Sequence, residues 1–184
     1  MASVVVGLGN PGPEYRDTRH NIGQRVLDVL ARRLRASWRR EGQAMVARGQ
    51  WRGEPVALVK PSAFMNVIGP VVGAVLRRLQ AAPDDLVLVY DDIDLPLGTV
   101  RIRMKGGHGG HNGVRSVLDA LGTEAIRRVK VGIGRPDDKD QVPDHVLAPF
   151  DPAERPAVEA AVALAADRVL ELIHPPSHAR GGTA

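Results

Sequence analysis

The amino-acid sequence predicts an α/β fold: a single-domain α/β/α sandwich built on a mixed, mostly parallel twisted sheet. Three observations carry that expectation. Short runs of Val, Leu and Ile with strand-like composition recur through the chain; stretches with apolar residues at helical spacing alternate with most of them; and the one direct strand-to-strand connection is marked by glycines. At 184 residues, 43% of them hydrophobic, the chain can bury one sizeable core, and no second domain is expected.

The first strand is expected at 3–8, where Ser3-Val4-Val5-Val6 runs into Gly7-Leu8-Gly9-Asn10-Pro11-Gly12. Gly7, Gly9 and Gly12 match a dinucleotide-binding fingerprint, which would make the protein an NADP-binding oxidoreductase. The context of that motif is missing. Pro11 removes a backbone donor from the turn, Pro13 delays entry into a helix, and no second strand ending in an acidic residue follows. Helical spacing begins near Asn21, with Ile22, Val26, Leu27, Leu30 and Leu34, and predicts a helix over 21–35.

Strands are expected at 44–50 and 55–60, joined by a turn from Arg48 to Glu54 that contains Gly49 and Gly53. A helix over 67–79 precedes a strand at 86–91, and a further strand at 99–104 leads to a glycine-rich loop and a helix over 113–121. A strand at 128–133 follows. The last helix, 152–172, is well marked: Asp151 is a candidate N-cap, Pro152 suits the first turn, Glu154 completes a capping-box pattern, and Val158, Val162, Ala165, Val169 and Leu172 form one stripe. The polar stretch Asp137 to Gln141 reads as a mobile loop or the edge of a lid. Residues 1–173 are expected to form the one domain, and 174–184, with Pro175-Pro176 and Gly181-Gly182, a frayed tail.

Composition narrows the function classes. With no cysteine there is no disulfide framework, thiolate metal site or cysteine nucleophile. The chain opens on a strand and holds no apolar run of membrane-spanning length, so neither secretion nor membrane insertion is indicated and a cytoplasmic home is expected. The formal charge is +4, and lysine occurs only at Lys60, Lys105, Lys130 and Lys139, so the basic residues are mostly arginine. Arginine's planar fork suits phosphates and bases, which makes nucleic acid a plausible partner. The bland alternative is solvated surface, and Arg32, Arg33, Arg35, Arg39 and Arg40 read as an exposed helix end with its following loop.

The chemistry gathers behind the strands, where open α/β sheets place their sites. The first strand is followed by Tyr15 and Thr18-Arg19-His20-Asn21, the third by Lys60-Pro61-Ser62-Ala63-Phe64-Met65-Asn66, the next by Asp91-Asp92-Ile93-Asp94-Leu95-Pro96, and a glycine loop spans Gly106-Gly107-His108-Gly109-Gly110-His111-Asn112-Gly113. His20 is the candidate base, since an ordinary imidazole, titrating near ~6.5, has a usable neutral form. Asp91 is the candidate group that holds it. Asp92 and Asp94 share its turn, but alternation points Asp92 to the other side and Asp94 begins a turn closed by Pro96. Asn10, Asn66 and Asn112 are neutral donors for an oxyanion or a substrate carbonyl, or simply turn residues. Tyr15 and Phe64 offer rings for stacking on a base, or for lining a groove.

His108 and His111 suggest a metal, but a glycine-rich loop fixes no helical offset between them and no glutamate-containing zinc motif is present, so no metal is expected. Ser62 and Ser116 lie outside any nucleophile-elbow pattern. Arg103, Lys105, Arg128 and Lys130 lie on two strand ends and suit either phosphate contacts or ordinary surface charge.

In this order the four clusters resemble those of the bacterial peptidyl-tRNA hydrolases, and the resemblance runs from Val4 through Val131-Gly132-Ile133-Gly134-Arg135-Pro136 to His145-Val146-Leu147 and Phe150. It implies a cofactor-independent esterase that frees peptide and tRNA from stalled peptidyl-tRNA by histidine-assisted water attack, acting as a monomer with no obligate protein partner. It implies catalytic roles for His20, Asp91 and Asn10, with Asn10 helping to tell a blocked peptidyl group from a free aminoacyl group. Asn66, Asn112, Tyr15 and Phe64 would contact the tRNA end or the peptide, and Arg103 and Lys130 the tRNA phosphates. Lys130 stands where the family carries arginine, keeping the charge without the bidentate fork. A non-catalytic RNA-binding domain, with His20 merely structural, is the remaining alternative.

Overall fold

The computed structural model describes residues 2–175, and 176–184, where most of the expected tail falls, lie outside the described residues. Seven strands form one sheet: β1 (Ser3–Gly7), β2 (Trp38–Glu41), β3 (Ala44–Trp51), β4 (Glu54–Pro61), β5 (Leu86–Asp92), β6 (Val100–Arg103) and β7 (Arg127–Gly132). Their order is β2-β3-β4-β1-β5-β7-β6. The central four, β4, β1, β5 and β7, are parallel, while β2 and β3 at one edge and β6 at the other pair antiparallel. Around the sheet lie α1 (Ile22–Arg33), α2 (Ile68–Arg78), α3 (Asn112–Leu121), α4 (Val142–Val146) and α5 (Arg155–Ile173).

The layering follows from alternation along the strands. Val5, Val87, Val89, Val129 and Val131 face a core completed by α1 and α5, whereas Val4, Val6, Leu86 and Leu88 face a core completed by α2 and α3. Because both faces are covered, β1 and β5 read as continuous apolar runs rather than as alternating ones.

Three segments depart from the sequence expectation. Arg39 and Arg40 do not continue a loop; they are exposed on β2, an edge strand whose charges guard it against further pairing and hide it from an apolar-pattern reading. The turn expected from Arg48 shrinks to Arg52 and Gly53, both at positive φ, so β3 runs on through Gly49 to Trp51 opposite Glu54. Beyond the polar stretch, α4 forms where no helix was expected; five residues carry too little periodicity to read.

One close approach sets the position of the site. A Cβ on Gly23 would lie 2.2 Å from the Val89 carbonyl oxygen, so only glycine lets the start of α1 sit against β5. Gly23→Ala is expected to push α1 outward and to cost about 1–3 kcal/mol, as overpacking does, which denaturant unfolding would measure.

Candidate active site

The site is assembled at the carboxyl ends of β1, β4 and β5. The loop after β1 is pinned first: the Leu8 N–H donates to the Val89 carbonyl at 3.0 Å, and the buried Asn21 amide clasps the Asn10 backbone, accepting from its N–H at 2.9 Å and donating to its carbonyl at 3.0 Å. The Thr18 hydroxyl closes on the Tyr15 carbonyl at 2.7 Å. Arg19–Asn21 then form a 3-10 turn that presents His20 to the end of β5.

There Asp91, only 2% exposed, is shared by two imidazoles. Its Oδ2 lies 2.8 Å from His20 Nδ1 and its Oδ1 2.8 Å from His111 Nε2. The two rings have different surroundings. His111 Nδ1 accepts from the Gly113 and Val114 N–H groups at 3.1 and 3.2 Å, so His111 is the side-chain N-cap of α3. An accepting Nδ1 places the ring proton on Nε2, which donates to Asp91. His20 is the mirror case: Nδ1–H donates to Asp91 and Nε2 is left with its lone pair in the cleft that His20 lines.

Burial alone would push the Asp91 carboxyl up, but the charges and hydrogen bonds of His20 and His111 overcome it and hold the group well below the usual carboxylate range. Asp91 is therefore an anion throughout the range in which an ordinary imidazole titrates. Burial also pushes the Tyr90 phenol up, and its ring packs edge-on against His111 with centroids 5.1 Å apart.

Among the described residues, the ligand atoms of His20, Asp91 and His111 lie within 4.8 Å of one another, close enough to consider a metal. The donor set argues otherwise. With bonds of about 2 Å, a tetrahedral ion would hold its ligand atoms roughly 3.3 Å apart, and His111 has committed its second nitrogen to the backbone. The 2.8 Å contacts are hydrogen bonds.

Above this group opens a cleft of about 550 Å³. Asn10 lines it; its Oδ1 accepts from the Met65 N–H at 2.9 Å, which leaves Nδ2 as the free donor. Asn66 and Asn112 line it too, with Asn112 Oδ1 accepting from Arg115 at 3.3 Å. Tyr15 and Phe64 meet edge to face at 6.0 Å, and Phe64 is half exposed at the rim. Val142, Pro143 and Val146 of α4, with Leu147, form a further wall.

The aspartates separate by partner rather than by alternation. Asp92 is not turned away; it borders the same cleft, but its carboxylate accepts from the Asp94 N–H at 2.8 Å and lies 3.5 Å from Lys130 Nζ. Asp94 pairs with Arg135 at 2.6 Å. Lys130 thus lines the cleft, whereas Arg103 lies exposed on β6, outside it.

Arg128 corrects an expectation. It is no surface cation: at 1% exposure it donates to the carbonyls of Gly107 at 2.7 Å, Glu124 at 3.1 Å and Ile126 at 3.2 Å, and also to that of Gly106, stapling the start of the glycine loop. The sequence reading also missed His111 as a partner of Asp91. Its signal was its place directly before the helix that begins at Asn112, where a side-chain acceptor is wanted.

A histidine with a free nitrogen, held by a buried anion beneath an open cleft at the ends of parallel strands, defines an α/β protein equipped for general-base chemistry. A family model described as peptidyl-tRNA hydrolase matches residues 4–179. A peptidyl-tRNA hydrolase of Brevibacillus brevis is 46% identical over 169 residues, covering 89% of this chain and 87% of its own, and one of Geobacillus thermodenitrificans is 46% identical over 94% of both. The crystal structure of peptidyl-tRNA hydrolase from Acinetobacter baumannii superposes with a TM-score of 0.88 at 33% identity, covering 94% of this chain and 88% of that one. The chain belongs to the peptidyl-tRNA hydrolase family.

Proposed function

We propose that the protein hydrolyses the ester between a peptide, or an N-blocked aminoacyl group, and the 3′ end of tRNA. The observation that carries this reading is His20, with Nδ1 tied to Asp91 and Nε2 open to the cleft. A water hydrogen-bonded to Nε2 attacks the ester carbonyl carbon while its proton passes to Nε2, and Asp91 stabilises the imidazolium that forms. The oxyanion takes a hydrogen bond from a neutral amide, for which Asn10 Nδ2 is a candidate donor, its Oδ1 being held by the Met65 N–H. The intermediate collapses by breaking the bond to the ribose 3′-oxygen, which receives the proton from His20. The products are the peptide acid and free tRNA.

Tyr15 and Phe64 suit stacking on an unpaired terminal base, and Asn66 and Asn112 suit hydrogen bonds to the tRNA end or the peptide backbone. No helix among the described residues is long and apolar enough to cross a membrane.

The test is incubation of the purified protein with N-acetylated and with free aminoacyl-tRNA. Release of the acyl group from the blocked substrate supports the reading. An intact blocked substrate that nonetheless binds would make the protein an RNA-binding module instead, and tight dinucleotide binding would favour the oxidoreductase.

The tRNA footprint is expected to include Arg103 and Lys130. Arg103→Glu and Lys130→Glu should each weaken tRNA binding and reduce the log–log salt slope by about 0.7–0.9, the contribution of one phosphate contact. A titration of binding against salt checks this, and an unchanged slope places the footprint elsewhere.

A further inference from the structure

Arg19 precedes His20 but reaches in another direction. Its Nη1 donates to the His145 carbonyl at 3.0 Å, in the last turn of α4, and its Nη2 to Glu154 Oε1 at 3.3 Å. That same Glu154 oxygen accepts the Asp151 N–H at 2.8 Å, just ahead of α5. The guanidinium also lies over the Phe150 ring, 5.5 Å from its centroid. Main-chain contacts run alongside: the Arg19 N–H donates to the Ala148 carbonyl at 3.0 Å, and Thr18 bridges to Pro149. One side chain therefore ties both ends of the segment 145–154 to the turn that carries His20.

The segment beside this clasp is the wall of the cleft formed by α4 and Leu147. A helix of five residues does not hold itself; the His145 carbonyl takes only a long bond from the Ala148 N–H, at 3.3 Å, and the closer Arg19 cation at that end also suits the dipole. A further side-chain tie is that of His145 Nε2 to the Gly134 carbonyl at 3.0 Å. The fit of Arg19 is incomplete as well: it is 7% exposed, and its Nε is buried without an acceptor among the described residues. Burying that Nε unpaired costs stability, which the hydrogen bonds to His145 and Glu154 and the contact with Phe150 must offset.

We propose that Arg19 is a positioning residue, which fixes α4 at the separation from His20 at which the cleft accepts its substrate. The proposal rests on the hydrolytic reading above. Without the clasp the wall samples wider positions, and apparent affinity falls in proportion to the fraction still in place. The His20–Asp91 contact is untouched, so chemistry on bound substrate is unchanged.

The experiment uses Arg19→Met and Arg19→Lys; lysine keeps the charge but lacks the planar fork that reaches both acceptors. For N-acetylated aminoacyl-tRNA, KM is expected to rise about tenfold or more in Arg19→Met, which loses both charged hydrogen bonds, and less in Arg19→Lys. kcat and the acidic limb of the rate profile should stay where they are. Hydrogen exchange should speed up at the Arg19, Leu147 and Ala148 amides while those of β1 and β5 remain protected. Exchange needs no turnover, so it tests the clasp even if the wild-type protein leaves the ester intact. Unchanged KM and unchanged exchange in the folded variants would overturn the proposal. So would a fall in kcat at constant KM, which would place the action of Arg19 on His20 rather than on the wall.

Discussion

His20→Ala is expected to lose about 10²- to 10⁴-fold in kcat on N-acetylated aminoacyl-tRNA, the usual cost of removing a positioned base. The fold should survive, because the His20 ring sits in a turn behind β1 and belongs to neither apolar core. Affinity for tRNA should also survive, since the Tyr15–Phe64 pair, the asparagines and Lys130 remain. Single-turnover hydrolysis and tRNA binding measured on the same preparation separate the two effects. Near-normal turnover in a folded variant would remove His20 from the chemistry.

Asp91→Asn should do comparable damage for a reason peculiar to this site. Both imidazoles donate to Asp91, one to each oxygen. An asparagine has a single oxygen and an NH₂ group, so it can accept from only one of them. Either His111 gives up its cap on α3, or His20 moves its proton to Nε2 and loses the lone pair that faces the cleft. A fall in rate of about 10²- to 10⁴-fold is expected, together with a displaced pH profile.

The sign of that displacement follows from charge. Asp91 titrates below the usual carboxylate range, so in the wild-type protein it is ionised wherever the acidic limb falls, and that limb does not belong to it. Removing the anion withdraws support from the imidazolium, and the limb moves to lower pH. A limb that stays put or moves up in a folded Asp91→Asn protein would mean that Asp91 is not the partner. The depressed carboxyl has a stability consequence too. Asp91 contributes stability at pH above its unfolded value near ~3.9, and the contribution is lost as pH falls through the lower folded value.

What the sequence made legible was the chemistry stationed at strand ends. β1 and β5 are buried on both faces, so they read as apolar runs, and His20 and Asp91 stand where those runs stop. Asn10 was legible on the same ground. The relations that were not legible depend on contacts between distant segments. Arg19 meets His145 across 126 positions, and nothing in Thr-Arg-His-Asn distinguishes a clasp from a surface cation. Arg128 looked like a basic strand end because two of the carbonyls that hold it come from a loop folded back 21 and 22 residues away. His111 lay inside a motif that invited a metal, and its cap on α3 shows only once the helix start is fixed. The edge strand β2 and the short α4 escaped for want of apolar periodicity.

The division of labour between the two histidines is tested most directly by their ring protons. Nitrogen-15 NMR of the imidazoles, in mildly alkaline buffer and assigned with the single variants His20→Ala and His111→Ala, reports which nitrogen of each ring carries hydrogen. His20 should appear as the Nδ1–H tautomer with an unprotonated Nε2, and His111 as the Nε2–H tautomer. If His20 instead carries its proton on Nε2, that nitrogen cannot accept one from water, and the assignment of His20 as the base fails.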